Sequence, residues 1–435
     1  MIRMKNSGVE WIGEIPEDWD VTHSKNIFTQ RSSRGNDVEE QLAATQQHGM
    51  YPQKLLEGVV QVKEGTDLQQ FKTVHKNDYV ISLRSFQGGF EMSDYEGVCS
   101  PAYQVFYNTI PISYRYYKYL FKSDGFISKM NSLTVGIREG KNIQYKDFSN
   151  SPIIIPPKST QQRIASYLDK KCSKIEETIQ NQQQVIEKLK AYKQFLITEA
   201  VTGKIKIQNG KVCGKYENYK DSGVEWIGKI PSEWISTRVG HLYKSILGKM
   251  VCPNQLTEEH TLQKYLCAMN VHFDGVDLSE IKEMWFTPNE MNQYQVRNGD
   301  LLVVEGGAGA GGASIVYGLS ENDKIFIQNS IHLVKPVKTN YLPKYLYYWI
   351  YSLVKQNYID YTCNKATIPH FTKEKLEGMP IAISDKITQQ EIIVYLDKKC
   401  TVIDTAIEQK QNLIEKLTEY KKSLIYECVT RKKEI

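Results

Sequence analysis

Ser7-Gly-Val-Glu-Trp-Ile-Gly-Glu-Ile-Pro-Glu-Asp-Trp19 returns as Ser222-Gly-Val-Glu-Trp-Ile-Gly-Lys-Ile-Pro-Ser-Glu-Trp234, with ten of thirteen positions identical and an offset of 215 residues. A second block, Gln161-Gln-Arg-Ile-Ala-Ser-Tyr-Leu-Asp-Lys-Lys-Cys172, recurs as Gln389-Gln-Glu-Ile-Ile-Val-Tyr-Leu-Asp-Lys-Lys-Cys400 at nine of twelve positions, now offset by 228. The match resumes at Ile186-Glu-Lys-Leu189 and Ile414-Glu-Lys-Leu417 and runs through Glu199 and Glu427 to Val201-Thr202 and Val429-Thr430. Internal duplication at this scale decides the fold before any single element does. The segments between the repeated blocks differ in length and in sequence. A scaffold that must look the same twice keeps its residues, whereas a surface that reads two different things does not, so function belongs to the divergent segments.

The long repeat carries a heptad seam. In the first copy it is Leu168, Cys172, Ile175, Ile179, Ile186, Leu189, Leu196 and Ala200; in the second, Leu396, Cys400, Ile403, Ile407, Ile414, Leu417, Leu424 and Cys428. Gln182 and Lys193 break it in the first copy, and Lys410 and Lys421 in the second. Polar seam residues lower stability but specify register, the role expected of these four. No Pro or Gly interrupts 161–202 or 389–431, so each stretch reads as one helix of about 40 residues, roughly 60 Å long. The same seam twice in one chain predicts two helices packed antiparallel on each other, with a pseudo-two-fold relation between the halves. The short repeat has too much Gly and Pro for a helix; its two tryptophans are expected to anchor an extended segment on a domain.

The 435 residues exceed one ordinary core. Charged residues make up 24% and hydrophobic ones 41%, and no apolar run approaches the roughly 20 residues of a spanning helix. The start lacks an apolar segment of signal-peptide length, so a cytoplasmic location without membrane contact is the expectation. Eight cysteines without C-x-x-C spacing, and histidines without an H-x-x-x-H pair, predict reduced thiols and no metal site. The net charge of +5 is not concentrated: residues 20–158 hold 16 basic against 14 acidic side chains, and residues 235–387 hold 15 of each.

Both divergent segments mix short β-rich runs with a Tyr-rich helix. Strands are expected at Tyr79-Val-Ile-Ser-Leu83, Gln104-Val-Phe-Tyr107 and Ile153-Ile-Ile155, with a helix over 113–123. In the second segment they fall at 300–304, 314–317 and 331–334, with a helix over 343–353. Helical spacing of the tyrosines favours packing on the sheet over base stacking. Polar loop stretches supply the side chains that direct base readout uses: Arg for guanine, Asn or Gln for adenine. In the first segment these are Arg84, Ser85, Gln87 and Gly88, then Arg138, Lys141, Asn142 and Gln144. In the second they are Gln328 and Asn329, then Asn364, Lys365, Thr367, His370 and Lys373, with Gly309 as a point of close backbone approach.

Signals for catalysis fail on inspection. Gly307-Ala-Gly-Ala-Gly-Gly312 satisfies G-x-G-x-x-G, but a strand follows where a dinucleotide site needs a helix, so it reads as a hairpin loop. Asp274 with Glu280 and Lys282 lacks the second supporting carboxylate of a metal-dependent nuclease. No Asn- or Asp-Pro-Pro-aromatic run of an amino-methyltransferase and no phosphate loop is present.

The duplicated arrangement, with Trp11-Ile-Gly-x-Ile-Pro-x-x-Trp19, Ser100-Pro-Ala-Tyr103, Ile155-Pro-Pro157 before Gln161-Gln-Arg-Ile164, and Ala366-Thr-Ile-Pro-His-Phe-Thr-Lys373, resembles the specificity subunit of type I restriction-modification enzymes over essentially the whole chain. The resemblance implies two α/β (α+β) target recognition domains in tandem, separated by two long helices that form an antiparallel coiled coil. It divides the chain into a short repeat (1–19), a first recognition domain (20–158), a central helix (159–203), a linker with the second short repeat (204–234), a second recognition domain (235–387) and a C-terminal helix (388–435). It further implies double-stranded DNA as ligand, each domain reading half of a bipartite asymmetric site. Two methyltransferase subunits, and restriction subunits in the full complex, are the implied partners. S-adenosylmethionine, ATP and Mg are expected in those partners, with no cofactor and no catalysis in this chain. The other expectation left open is an assembly scaffold, or an inactive orphan copy, that does not bind DNA.

Overall fold

The computed structural model describes residues 3–35, 40–46, 48–56, 68–82, 89–133, 143–320, 322–363, 369–433 and 435. The chain divides into two compact units, one of residues 1–183 with 411–435 and the other of residues 184–410. Both boundaries fall inside the two long helices.

In the first unit the strands β1 (Phe28–Gln30), β2 (Tyr79–Ile81), β3 (Phe90–Met92) and β4 (Gln104–Asn108) form an antiparallel sheet in the order β1-β4-β2-β3. Helix α1 (Tyr114–Phe121) follows β4, and the one-turn helix α2 (Tyr145–Ser149) precedes the long helix α3 (Lys158–Val201). Strand Asp20–His23 pairs antiparallel with Pro152–Ile155. In the second unit β5 (Tyr243–Leu247), β6 (Leu301–Val304), β7 (Ala313–Ile315) and β8 (Ile331–Pro336) repeat that plan in the order β5-β8-β6-β7. Helices α4 (Pro343–Val354), α5 (Lys373–Gly378) and the long α6 (Lys386–Val429) follow, and Ile235–Arg238 pairs antiparallel with Pro380–Ile383.

Register relates the units residue by residue. Phe28 lies opposite Asn108 and Tyr243 opposite Pro336, so β1 and β5 keep the offset of the short repeat. Phe106 opposes Tyr79, and Val334 opposes Leu301, so β4 and β8 already carry the offset of the long repeat. The extra residues of the second unit therefore enter between its first and fourth strands. The same stretch of the second unit holds a three-stranded sheet, Thr261–Leu266 between Lys282–Phe286 and Ile325–Ile327.

Every seam position of α3 and α6 is buried or half-buried. In the first unit Cys172 and Ile175 share a core with Leu424, Ile425 and Cys428; in the second, Ile197, Ala200 and Val201 share one with Ile392, Leu396 and Cys400. The helices run antiparallel: in the first unit Cys172 lies beside Cys428, while Glu176, one turn further along α3, pairs with Lys421, earlier in α6. In the second unit Lys193 pairs with Asp404 at 2.7 Å, the contact equivalent to Glu176 with Lys421. Two of the four seam-breaking residues thus form charged pairs along the seam. Gln182 and Lys410 are half-buried. Helix α3 stops two residues before Gly203, whose φ of +69° closes the last turn and whose missing side chain leaves room for Pro231.

The Tyr-rich helices pack rather than stack. Tyr116 and Tyr117 on α1, and Tyr345 on α4, are fully buried; Tyr116 donates to Val429 O at 2.8 Å and Tyr345 to Val201 O at 3.0 Å, each at the end of a long helix. The long helices grip α1 and α4 through repeated residues. Gln161 accepts from Ser113 N at 2.8 Å and donates to Pro156 O; Gln389 accepts from Leu342 N at 3.1 Å and donates to Ser384 O. Asp169 takes Arg115 and Tyr119, and Asp397 takes Lys344 and Tyr348, at 2.6–2.9 Å.

The short repeats form hairpins, Met4–Asn6 with Glu14–Pro16 and Tyr219–Asp221 with Lys229–Pro231. Of their tryptophans, Trp19 and Trp234 are core residues, but Trp226 is 40% exposed and Trp11 half-buried. Only the second tryptophan of each repeat is the buried anchor expected, because it follows the Pro that turns the chain inward. All eight cysteines are free; burial pushes the Cys172, Cys400 and Cys428 thiols up to about 11, so they serve as small apolar seam residues.

Candidate nucleic-acid interface

The β2–β3 connection and the turn entering β4 lie at the same end of the first sheet, because Ile81 faces both Phe90 and Gln104. The second unit places the β6–β7 connection and the turn entering β8 likewise. Of the sequence-derived candidates within the described residues, Gly309, Gln328, Asn329 and His370 of the second unit gather at this end.

In the second unit Gly309 is exposed in the β6–β7 loop, the hairpin expected of the glycine run. Gly311 N donates to Val304 O at 2.9 Å and Val304 N to Gly312 O at 2.7 Å. Gln328 and Asn329 occupy the turn between Ile325–Ile327 and β8. Gln328 Oε1 accepts from Ser330 N at 3.2 Å, and its side-chain amide donates to Asn329 Oδ1, so Gln328 works largely to hold the turn. Glu305 N donates to Ser330 O at 2.8 Å, and Phe371 N to Glu305 O at 2.6 Å. Gly306 bridges His370, and the exposed His370 Nδ1 lies 3.1 Å from Glu305 Oε2. The glycine loop, the Gln328–Ser330 turn and His370 are therefore one hydrogen-bonded cluster. Lys373 is exposed at the start of α5. Asn364, Lys365 and Thr367 lie outside the described residues.

In the first unit Gln144 is exposed, immediately before α2. Arg84, Ser85, Gln87, Gly88, Arg138, Lys141 and Asn142 lie outside the described residues; Ser82 N donates to Gly89 O at 2.8 Å across the base of the β2–β3 connection.

Several residues at this end were not among the site candidates read from the sequence. Ser100-Pro-Ala-Tyr103 is the counterpart of the Gln328–Ile331 turn: Tyr103 N donates to Ser100 O, and Ile331 N to Gln328 O, both at 3.0 Å. Carrying the long-repeat offset back through the divergent segments would have found it. Lys249 flanks the second turn, accepting from Asn329 N at 2.9 Å through its carbonyl and pairing with Glu290 at 2.5 Å through its ammonium. Lys375 donates to His370 O at 2.8 Å. Beneath the cluster His332 is fully buried, and burial holds its imidazole below the usual range.

Asp274 sits in the turn between Val271–His272 and Gly275–Val276, and among the described residues no three His, Cys, Asp or Glu side chains are placed to hold a metal ion. No described helix is long and apolar enough to cross a membrane.

Comparison with known proteins gives this geometry a family. The family model for the type I restriction modification DNA specificity domain matches residues 16–191 and 279–418. This chain belongs to that family. Among other members, the specificity subunit of the type I restriction enzyme EcoBI of Escherichia coli is 21% identical over 309 residues, 69% of this chain and 62% of its own length. The EcoKI specificity subunit of E. coli strain K12 is 27% identical over 181 residues, 42% of this chain and 35% of its own. The match thus spans less than two thirds of either relative. Two solved chains share the fold of this specificity-family member. One, from work on complex assembly and conformational transition of the type I R-M system, has a TM-score of 0.69 at 13% identity, with 95% and 98% of the two chains covered. The other, the HsdS subunit of Thermoanaerobacter tengcongensis, has a TM-score of 0.51 at 13% identity, with 96% and 97% covered.

Proposed function

We propose that this chain is the DNA-reading subunit of a type I restriction-modification complex, each unit reading one half of a bipartite, asymmetric double-stranded site. The paired helices set the spacing between half-sites and present two matching surfaces to two methyltransferase subunits; restriction subunits join the full complex. Adenine methylation, with S-adenosylmethionine, and ATP- and Mg-dependent cleavage belong to those partners, and this chain supplies specificity without catalysis.

One observation carries this reading. The same sheet, the same register and the same Gln and Asp grips recur in both units, while the polar connections at one end of the sheet differ. Repeated structure under divergent polar loops is what two different half-sites and two identical partners require. Base edges specify and phosphates only position, so the near-neutral divergent segments assign much of the non-specific affinity to the partners.

Replacing residues 235–387 with the corresponding region of a homologue, in complex with the methyltransferase, tests it. Half of the methylated motif is expected to change and the other half to persist; altered methylation in both halves contradicts modular reading, and loss of sequence preference throughout favours the scaffold.

A further inference from the structure

One backbone carbonyl at the foot of each candidate interface is held by a side chain from inside the sheet. In the first unit Gln104, the first residue of β4, donates from Nε2 to Ile143 O at 3.0 Å and accepts at Oε1 from Tyr145 N at 2.7 Å. It thereby brackets the exposed Gln144. In the second unit His332, on β8, has Nε2 3.1 Å from Phe371 O. A carbonyl only accepts, so Nε2 carries the proton, and Nδ1 of the neutral ring accepts from Ser245 Oγ at 3.0 Å. The neighbour of Phe371 is the exposed His370, tied to Gly306 and Glu305.

Gln104 and His332 stand at the same place in the two sheets, opposite Ile81 and Val303 respectively. Ile143 and Phe371 are separated by the same number of residues as Gln104 and His332, the offset of the long repeat. Both acceptor residues are buried, at 1% and 0% exposure, so their carbonyls have no access to bulk water and need a partner from within. Two chemically unlike residues in divergent sequence thus make one contact. Glutamine and neutral histidine share what it demands, a planar N–H donor at the end of a short side chain, with a second polar atom for a second partner.

We propose that Gln104 and His332 are equivalent positioning residues for DNA reading, each locking the main chain that carries exposed base- or phosphate-contacting side chains: Gln144 in the first unit, His370 and Lys373 in the second. Neither side chain touches DNA. The inference rests on the DNA-reading function proposed above and adds to it a device inside each sheet that fixes the geometry of one half-site alone. Hydrogen-bond readout tolerates little displacement, so a carbonyl released from its pin loosens discrimination without removing any reader.

The test uses the full chain in complex with its methyltransferase, with methylation rates measured on DNAs bearing single-base changes in either half-site. Gln104→Glu keeps the size and the acceptor but loses the donor; His332→Leu loses both polar atoms; His332→Gln installs the first unit's pin in the second. Gln104→Glu is expected to lower discrimination about 10-fold in one half-site only, and His332→Leu to do so only in the other. His332→Gln is expected to retain discrimination within about 3-fold of the parent, the rescue that separates a donor role from mere filling of space. Should His332→Leu fail to fold, the comparison of Gln104→Glu with Gln104→His, which restores a donor, decides the matter. Loss spread equally over both half-sites, or no loss from Gln104→Glu, overturns the pin. A parent complex without sequence preference overturns the DNA-reading function itself, whereas a selective parent with unaffected variants overturns this inference alone.

Discussion

The two units grip their first helix with the same residues and build their outer surface with different ones. Gln161 and Gln389, like Asp169 and Asp397, reach equivalent partners, and even the change from Arg115 to Lys344 leaves a cation on the same aspartate. At the loop end of the sheet nothing of that identity remains: Ser100-Pro-Ala stands where Gln328-Asn-Ser stands, and Gln104 where His332 stands. The difference separates two kinds of constraint. A contact between scaffold and domain has one solution that both units keep, while a surface that reads sequence is free to differ provided its backbone is held.

The comparison breaks most severely if the two long helices are put out of step. Inserting one or two helical turns between Cys172 and Ile186 displaces the seam of α3 against α6. The expected outcome is a longer unspecified spacer in the methylated motif or complete loss of assembly; full activity with the old spacer would show that these helices do not set the distance.

The repeated grips are next. Gln161→Leu strands the Ser113 amide and the Pro156 carbonyl, and Gln389→Leu strands the Leu342 amide, at side chains no more than 1% exposed. Each is expected to cost about 2–3 kcal/mol, and the two costs should match when measured by denaturant unfolding. A large cost for one and none for the other would mean that the sequence repeat does not reflect an energetic one.

The polar seam residues have a smaller effect. Asp404 and Glu176, the partners of Lys193 and Lys421, are about half exposed, so either Lys→Ala change is expected to cost less than about 1 kcal/mol. Replacing both lysines with Leu makes the seam fully apolar and should raise the melting temperature while broadening the register that engineered cysteine crosslinks detect. A lower melting temperature would show that the pairs stabilise rather than align.

In pH dependence the units should move in opposite directions. Burial raises the Glu91 carboxyl to about 7, with the Lys122 ammonium pulling the other way. The folded first unit therefore holds a proton that the unfolded chain has lost, and this group's contribution to stability falls as pH rises from about 4.5 to about 7. Burial lowers His332, against the Phe371 hydrogen bond and the Glu305 and Glu377 charges, with Lys373 acting in the same sense as burial. Its contribution is complete above the ordinary imidazole range and is lost as pH falls below it. Relative to the parent, Glu91→Gln should gain stability as pH rises through the first window, and His332→Gln as pH falls through the second. Melting curves across pH 4.5–7.5 that show the same slope for both variants would contradict these assignments.

Much of the scaffold was legible in the sequence because its signals are local. The heptad positions, their polar interruptions and the strand-to-strand character of Gly307–Gly312 follow from spacing over a few residues. Strand order does not: β1 meets β4 through pairs such as Phe28 with Asn108, separated by most of a domain, and no local pattern encodes that choice. The candidate surface was readable as composition only. Gln328 offers the right groups for adenine yet uses them on Asn329 and Ser330. Gln104 and His332 carried no signal, since their equivalence appears only when register and hydrogen bonds are laid over the repeat.

The central claim, two half-site readers on one ruler, is tested most directly by mapping methylated adenines in DNA from cells that carry this chain with its methyltransferase. The account predicts a split asymmetric motif, with two specified halves of different sequence around an unspecified spacer of fixed length and one methylated adenine in each half. A continuous motif, or two identical halves, would contradict it.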